Sequence, residues 1–444
     1  MERVHFTTLG CKLNQIESES LASAFLKAGF DVVGEDAPIP DGPDPALCVV
    51  NTCTVTGKAE QKSRALIRRL LRQWPGTAVL VTGCYAEVER DAIEALDPRV
   101  VAFPGSRKDE LIALPDALNS TLSESPHASA LEVARNFSLR PGRDVPAFTL
   151  STDGFLFHSR ASIKIQDGCD NACAYCRIRL ARGRSVSLAD DEVVERVRSI
   201  ERAGWNEVVL TGVNLSQYRS ASGDFARLLE RLLRETDRIA VRISSLYPER
   251  VDADILDSLA DPRVRPHFHL SIQSGSDRVL KAMRRPYGSD AILKAVERLR
   301  SVKDDPFLAC DCITGFPGET EEDFASTLGV METARFAWIH AFPFSPRPGT
   351  EAWSMRPRVP ERVAAERSKR LAELSERGLA EYQARWVGRE VEAIAEKSEG
   401  EPSQGTRFLT ENYLTVTVPG VTLRAGRSAR VRILGPADAE LVSG

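Results

Sequence analysis

Apolar residues recur along this chain in two rhythms. Up to residue 120, short apolar runs at 4–9, 47–51 and 78–82 alternate with longer stretches at 14–30, 57–74 and 86–96. In the longer stretches apolar positions return every three or four residues, the period of amphipathic helices, whereas the short runs suit buried strands. The alternation predicts an N-terminal α/β domain, residues 1–120, with helices packed on a parallel sheet. Residues 121–150 are rich in Ser and Pro without a period, which predicts a linker or crossing segment over 121–154. Strands are predicted next at 162–166, 207–210, 240–243, 267–271, 307–313 and 337–342, each followed by a helix-compatible segment. Six such units over 155–382 predict a partial (βα) barrel, closed by a charged helix at 361–385. From 383 to 444 the rhythm changes to short alternating strands at 391–396, 406–409, 414–418 and 429–433. Turns at 399–404, 419–420 and 426–427 make this a small antiparallel β-barrel. The fold class is thus α/β and multidomain.

Composition narrows the function classes. The 444 residues are 42% hydrophobic and 27% charged, an ordinary globular balance. No apolar run reaches the roughly 18 residues needed to span a bilayer. The N-terminal sequence lacks a basic segment followed by an apolar one, so no secretory signal is expected. A cytoplasmic monomer without membrane association is the expectation. The net charge of -4 excludes a uniformly basic surface but permits local basic patches. Nine cysteines in such a chain point to metal binding or catalysis rather than disulfides.

Cys169, Cys173 and Cys176 directly follow a predicted strand. Three thiolates on one short loop suit three irons of a 4Fe-4S cluster and leave the fourth iron open to substrate. Structural zinc would want a fourth ligand, usually in paired CxxC form, and no second pair lies nearby. The loop falls at the C-terminal end of a strand, where βα barrels place their chemistry. This spacing, with Tyr175 before the last Cys, resembles the signature of the radical S-adenosylmethionine (radical SAM) superfamily. The resemblance implies that the open iron binds S-adenosylmethionine, which one electron cleaves to a 5′-deoxyadenosyl radical. Cys169, Cys173 and Cys176 are then both cluster ligands and catalytic residues. Polar or glycine-bearing strand ends at Gly212, Asn214, Ser244, Gln273 and Asp311 fit the same superfamily as contacts to S-adenosylmethionine.

A second trio is dispersed. Cys11, Cys53 and Cys84 follow the first three predicted strands. In a parallel sheet the strand C-termini share one edge, where ligands bind. Each thiol also precedes a helix, whose N-terminal dipole favours thiolate. Three converging cysteines again suggest a cluster with an open iron; the alternative is that small thiols fill space at strand ends. Cys48, Cys310 and Cys312 read as core residues.

Together the motifs become specific. Gly10-Cys11-Lys12-Leu13-Asn14-Gln15-Ile16-Glu17-Ser18, Asn51-Thr52-Cys53, Thr82-Gly83-Cys84, the Cys169 loop followed by Ala181-Arg182-Gly183-Arg184, and the terminal β-barrel resemble the methylthiotransferases over nearly the whole chain. The resemblance implies two 4Fe-4S clusters, the second held by Cys11, Cys53 and Cys84, two uses of S-adenosylmethionine, and a C-terminal barrel like the RNA-binding TRAM domain. The residues after Cys11 look like the branch acting on N6-threonylcarbamoyladenosine 3′ to the tRNA anticodon. That implies a tRNA anticodon stem-loop as partner and an electron donor such as a flavodoxin or ferredoxin. The same chemistry on isopentenyladenosine of tRNA or on a ribosomal-protein aspartate is the alternative. A non-catalytic iron–sulfur protein binding RNA or passing electrons is more distant. One departure stands out: Arg177-Ile178-Arg179 occupies the place where the family commonly has Ile-Ile-Pro.

Arginines supply the RNA expectations. Arg182 and Arg184 beside the cluster loop, and Arg424 and Arg427 in the last domain, are candidate phosphate contacts, with Arg284, Arg285, Arg430 and Arg432 as further ones. Arg64, Arg68, Arg69 and Arg72 recur at helical spacing and read as a solvated face.

Overall fold

The computed structural model describes residues 2–34, 43–124, 128–397 and 405–442. The chain divides into two compact units. The first comprises Met1–Phe157, Asp167–Asp170 and Cys176–Leu188; the second comprises His158–Gln166, Asn171–Tyr175 and Ala189–Gly444.

The first unit is built on five parallel strands: β1 (Arg3–Thr8), β2 (Asp31–Gly34), β3 (Leu47–Thr52), β4 (Ala78–Gly83) and β5 (Val100–Ala102), in the order β2-β1-β3-β4-β5. Every residue of β3 and β4 is buried, as a parallel sheet covered on both faces requires. Successive side chains go to opposite layers. Val49 and Leu80 join the core that holds Leu21 and Phe25 of the helix Lys12–Lys27. Cys48, Val50, Val79 and Val81 join a second core with Leu66, Ile67, Leu70 and Leu71 of the helix Gly57–Gln73. Thr56 starts that second helix, its hydroxyl accepting from the Ala59 N–H at 3.1 Å. Arg68, Arg69 and Arg72 lie on its exposed side. The short strands β2 and β5 were not expected.

The described residues of 121–154 pack against the first unit instead of forming a linker. The helix Ala130–Leu139 buries Val133, Ala134 and Phe137 in the first core, with the Phe137 ring 5.8 Å from Phe103. Its polar flank is a cap: Ser129 and Glu132 close a capping box. The helix Leu114–Glu124 precedes it, and the chain stays with this unit through Phe157.

In the second unit, Ala240–Ile243, Glu207–Thr211 and Ala161–Lys164 form one parallel sheet, and His267–Gln273, Phe307–Thr314 and Trp338–Pro343 another. A parallel bridge from Leu246 to Leu270 joins them into a six-stranded partial barrel. The helix Glu361–Trp386 leads to five antiparallel strands ordered Thr415–Val418, Thr406–Thr410, Glu390–Ala395, Ser428–Ile433 and Ala439–Leu441. A bridge between Thr417 and Asp438 nearly closes them into a barrel. The turn expected at 399–404 lies outside the described residues. Phe307 and Tyr382 share a core with Val391, Phe408 and Val431, so the last barrel is packed rather than tethered. A buried carboxylate reinforces this: Glu207 accepts from Arg242 Nε at 2.7 Å and Arg265 Nε at 3.0 Å. Arg265 continues to Glu392 at 2.8 Å and Glu411 at 3.3 Å. Cys310 and Cys312 are fully buried strand residues, as expected of core thiols. Among the described residues no helix is long and apolar enough to cross a membrane.

Candidate active site

In the first unit the dispersed trio converges. Cys53 and Cys84 follow β3 and β4 directly, and Cys11 caps the helix Lys12–Lys27 beyond β1. These three strands are neighbours, so their C-terminal ends share one edge. Gly10 shows how close the loops come. At φ +114 its backbone is left-handed, and a Cβ there would lie 2.8 Å from Cys53 Cβ. Asn14 stitches the loops: its amide nitrogen donates to Leu9 O at 2.8 Å and to Thr52 O at 3.0 Å. Asn51 Nδ2 returns a bond to Asn14 O at 3.0 Å and to Ser18 Oγ at 3.3 Å. Asn14 and Ser18 of the Cys11 motif thereby have structural causes. Burial pushes the Cys53 thiol up to about 11 and raises Cys84 as well, against the opposing pull of Arg182. At these two sulfurs burial therefore works against the pull of the helix dipoles.

Arg182, expected on RNA phosphate, is placed otherwise. Its side chain is 3% exposed, and its Nε donates to Cys84 Sγ at 3.2 Å. Nη1 pairs with Glu17 at 3.0 Å and Asp167 at 2.9 Å, and Nη2 donates to Asn14 Oδ1 at 2.6 Å. Lys108 Nζ balances the same two carboxylates at 2.8 and 2.7 Å. A guanidinium enclosed in this way has no donor left for a phosphate, so its assignment as an RNA contact is corrected. Glu17, Lys108 and Asp167 were missed as its partners. Arg177 is also buried, bonding Glu60 at 3.2 Å and Glu89 at 2.9 Å. Arg184 is well exposed and pairs with Asp170 at 3.2 Å, and it remains available to an anion.

The 169–176 loop begins at a constrained point. Gly168 has φ +69, and a Cβ there would fall 1.9 Å from Arg184 O. The Cys169 N–H donates to Gly183 O at 3.1 Å, and Cys176 Sγ accepts from the Ile178 N–H at 3.4 Å. In the second unit, Cys173 Sγ accepts from Arg285 Nη1 at 3.4 Å. Arg285 is buried between Tyr247 and Tyr287, whose ring centres lie 4.4 and 5.0 Å away, and it donates to Ser271 O at 2.7 Å. It too is withdrawn from RNA. Arg284 is exposed and paired with Glu351 at 2.6 Å. Arg424 and Arg427 are exposed on the terminal barrel, while Arg430 and Arg432 pair with Glu390 at 3.3 and 2.7 Å.

The strand-end candidates lie in the second unit. The Asn214 backbone N–H donates to Gln166 Oε1 at 2.8 Å, and its side chain caps the following turn by accepting from Ser216 N–H at 3.1 Å. Gly212 touches the same glutamine: a Cβ would meet Gln166 at 2.9 Å. Gln273 is buried with φ +67, at a register shift between its strand and the next. Asp311 Oδ1 is 3.3 Å from His269 Nε2, and His269 Nδ1 is 3.1 Å from Ser245 Oγ. Ser244 Oγ is buried with no partner, an unsatisfied group that a ligand would complete.

Among the described residues, no three Cys, His, Asp or Glu side chains are placed to hold a single metal ion. A cluster differs in spreading its ligands over several metal atoms. Three thiols are the donor set that suits a 4Fe-4S cluster, and a buried arginine donates to Cys84 Sγ in the first unit and to Cys173 Sγ in the second. Fold and donor set fit the radical SAM superfamily that the sequence resembles.

Comparison with known proteins agrees. Residues 163–331 match the radical SAM superfamily, and residues 3–105 match the uncharacterized protein family UPF0004. In fold the chain is similar to TsrM from Kitasatospora setae, a radical S-adenosylmethionine methyltransferase, with a TM-score of 0.53 and 16% identity over 79% of this chain and 77% of that one. It is 48% identical to threonylcarbamoyladenosine tRNA methylthiotransferase MtaB of Treponema pallidum, over 98% of each chain. Its identity to the MtaB of Bacillus subtilis is 34%, over 98% of this chain and 94% of that one. It is also 34% identical to tRNA-2-methylthio-N(6)-dimethylallyladenosine synthase of Thermobifida fusca, over 98% of this chain and 87% of that one. The chain belongs to the tRNA methylthiotransferase family of radical SAM enzymes, in its MtaB branch. Membership implies a 4Fe-4S cluster and the use of S-adenosylmethionine.

Proposed function

We propose that this protein adds a methylthio group to carbon 2 of N6-threonylcarbamoyladenosine in the tRNA anticodon loop. The observation that carries the reading is the gathering of Cys11, Cys53 and Cys84 at one sheet edge, in addition to the 169–176 loop. One trio suffices for a radical enzyme; sulfur insertion calls for a second site that presents sulfur. The choice of base is supported by 48% identity to an MtaB over 98% of both chains.

When bound, the cluster and S-adenosylmethionine supply a radical able to take hydrogen from an unreactive C–H. Cys169, Cys173 and Cys176 would hold that cluster, with Arg285 donating to Cys173 Sγ. Cys11, Cys53 and Cys84 would hold the second one. Gly212, Asn214, Ser244, Gln273 and Asp311 would orient S-adenosylmethionine, with the unpartnered Ser244 hydroxyl free to meet a ligand polar atom. Arg184, Arg424 and Arg427 would neutralise RNA phosphates, positioning the loop without reading its sequence. The terminal barrel acts as a TRAM-like RNA-binding domain. A reductant protein of flavodoxin or ferredoxin type, a monomeric enzyme and a cytoplasmic place of action complete the reading.

Nucleoside mass spectrometry tests it, on tRNA from a host stripped of its own methylthiotransferases and expressing this chain. The 2-methylthio derivative of threonylcarbamoyladenosine is expected. Appearance of the isopentenyladenosine derivative alone would overturn the substrate, and absence of both with loaded clusters would overturn the tRNA assignment.

A further inference from the structure

We infer that Arg182 is a positioning residue for the cluster assigned to Cys11, Cys53 and Cys84, donating a hydrogen bond to the Cys84 sulfur that raises the reduction potential of that cluster. The inference rests on the two-cluster reading above.

The geometry is specific to this atom. Arg182 Nε reaches Cys84 Sγ at 3.2 Å, while its other donors are committed to oxygens: Glu17, Asp167 and Asn14 Oδ1. A guanidinium offers five N–H groups in a rigid fork; with Nη2 also reaching Glu17 Oε2 at 3.5 Å, four of them sit on oxygens and aim the fifth. Asn14 carries the alignment further, because its amide holds the carbonyls of Leu9 and Thr52, which adjoin the Cys11 and Cys53 loops. Displacing Arg182 therefore disturbs one sulfur directly and the other two loops through Asn14.

Charge accounting separates tuning from a plain ion pair. Glu17 and Asp167 carry two negative charges, and Arg182 and Lys108 carry two positive ones at 2.7 to 3.0 Å. The two carboxylates are met by these cations, and the Nε–H points at sulfur rather than at either of them. A hydrogen bond to a cluster sulfur favours the more electron-rich, reduced state, and such outer bonds are among the means by which proteins set cluster potentials. Arg182 ends the short helix Ile178–Arg182, so the segment leaving Cys176 supplies the donor.

The test uses the full-length chain carrying C169A, C173A and C176A, reconstituted with iron and sulfide so that only the dispersed trio can hold a cluster. Its reduction is followed by electron paramagnetic resonance against a set of poised dyes. Replacing Arg182 by Gln or by Lys, which keeps the charge but not the fork, is expected to lower the potential. The reduced-to-oxidised ratio at a fixed poise should fall on the order of tenfold, about 59 mV for a one-electron couple. An unchanged potential in iron-loaded Gln and Lys variants overturns the inference and leaves Arg182 a structural brace. If the Gln variant holds no iron, adding E17Q offsets the lost positive charge. Continued loss of iron in a chain that melts like its parent supports the positioning role, and an unfolded apoprotein overturns it. Failure of the triple-cysteine parent to bind any iron would instead defeat the two-cluster reading.

Discussion

Replacing Arg177 by Ile, the residue common in the family at this place, is expected to destabilise the first unit rather than normalise it. Arg177 Nη1 lies 3.2 Å from Glu60 Oε1, and the Glu60 side chain is 11% exposed. Its second partner, Glu89, is 36% exposed, so water screens that contact and its loss costs little. Removing one partner of a buried pair costs about 3–5 kcal/mol, because the remaining charge is left uncompensated. Glu60 keeps the Thr54 hydroxyl at 2.5 Å and stands in the first turn of the helix Gly57–Gln73, where the dipole favours a carboxylate. Both place R177I at the lower end, about 3 kcal/mol. For a domain of this size that lowers Tm by about 6–12 °C. Differential scanning calorimetry of the apoprotein reads the first unit's transition. The double variant R177I/E60L should recover most of the loss, since neither charge is then left alone in the interior. A melting curve for R177I that overlays the parent, or a double variant as unstable as R177I, would refute the reasoning.

Acid should weaken the second unit through Glu207, whose carboxyl is held at about 2, below the ordinary 4.5, by Arg242 and Arg265 against the cost of its burial. Because the folded value is depressed, the contribution is full above pH ~4.5 and is lost as pH falls toward 2, about 3 kcal/mol in all. Denaturation midpoints over that window should fall more steeply in the parent than in E207Q, and parallel slopes would exclude Glu207 as the cause. Gly168→Ala should remove iron from the 169–176 loop as fully as C173A does, since its Cβ would lie 1.9 Å from Arg184 O; normal iron content would show that the loop adapts. Ser244→Ala should leave Tm unchanged or slightly raised, because it removes a buried hydroxyl without a partner. The same change should weaken S-adenosylmethionine binding about tenfold, or about 1.4 kcal/mol, and an unchanged Kd in calorimetry would take Ser244 out of the site.

What was legible in the sequence was what repeats locally. Buried strands announce themselves by apolar runs, and a thiol placed just after each of three such runs predicts convergence, because sheet topology supplies the long-range step. The capping box at Ser129 and Glu132 was equally local, but the Ser and Pro content around it masked a helix of only ten residues. The strands β2 and β5 are four and three residues long, too short for a period. The buried arginines belong to a different class of information. Arg177, Arg182 and Arg285 are charged residues in polar surroundings of the sequence, and charge ordinarily lies outside. Arg182 meets Glu17 across 165 positions and Arg177 meets Glu60 across 117, and no periodicity links residues so far apart. One sign was present for two of them. Arg182 and Arg177 stand within six residues of Cys176, and Glu17 lies six after Cys11. Near a candidate cluster, the cost of an interior charge is offset by sulfur and carboxylate partners that an ordinary surface lacks. An arginine close to a ligating cysteine therefore calls for a choice between a partner of the cluster and a contact of the substrate. Arg182 and Arg285 each reach a sulfur, whereas Arg184 does not and stays in solvent, so three arginines all expected on RNA divide by burial into two roles.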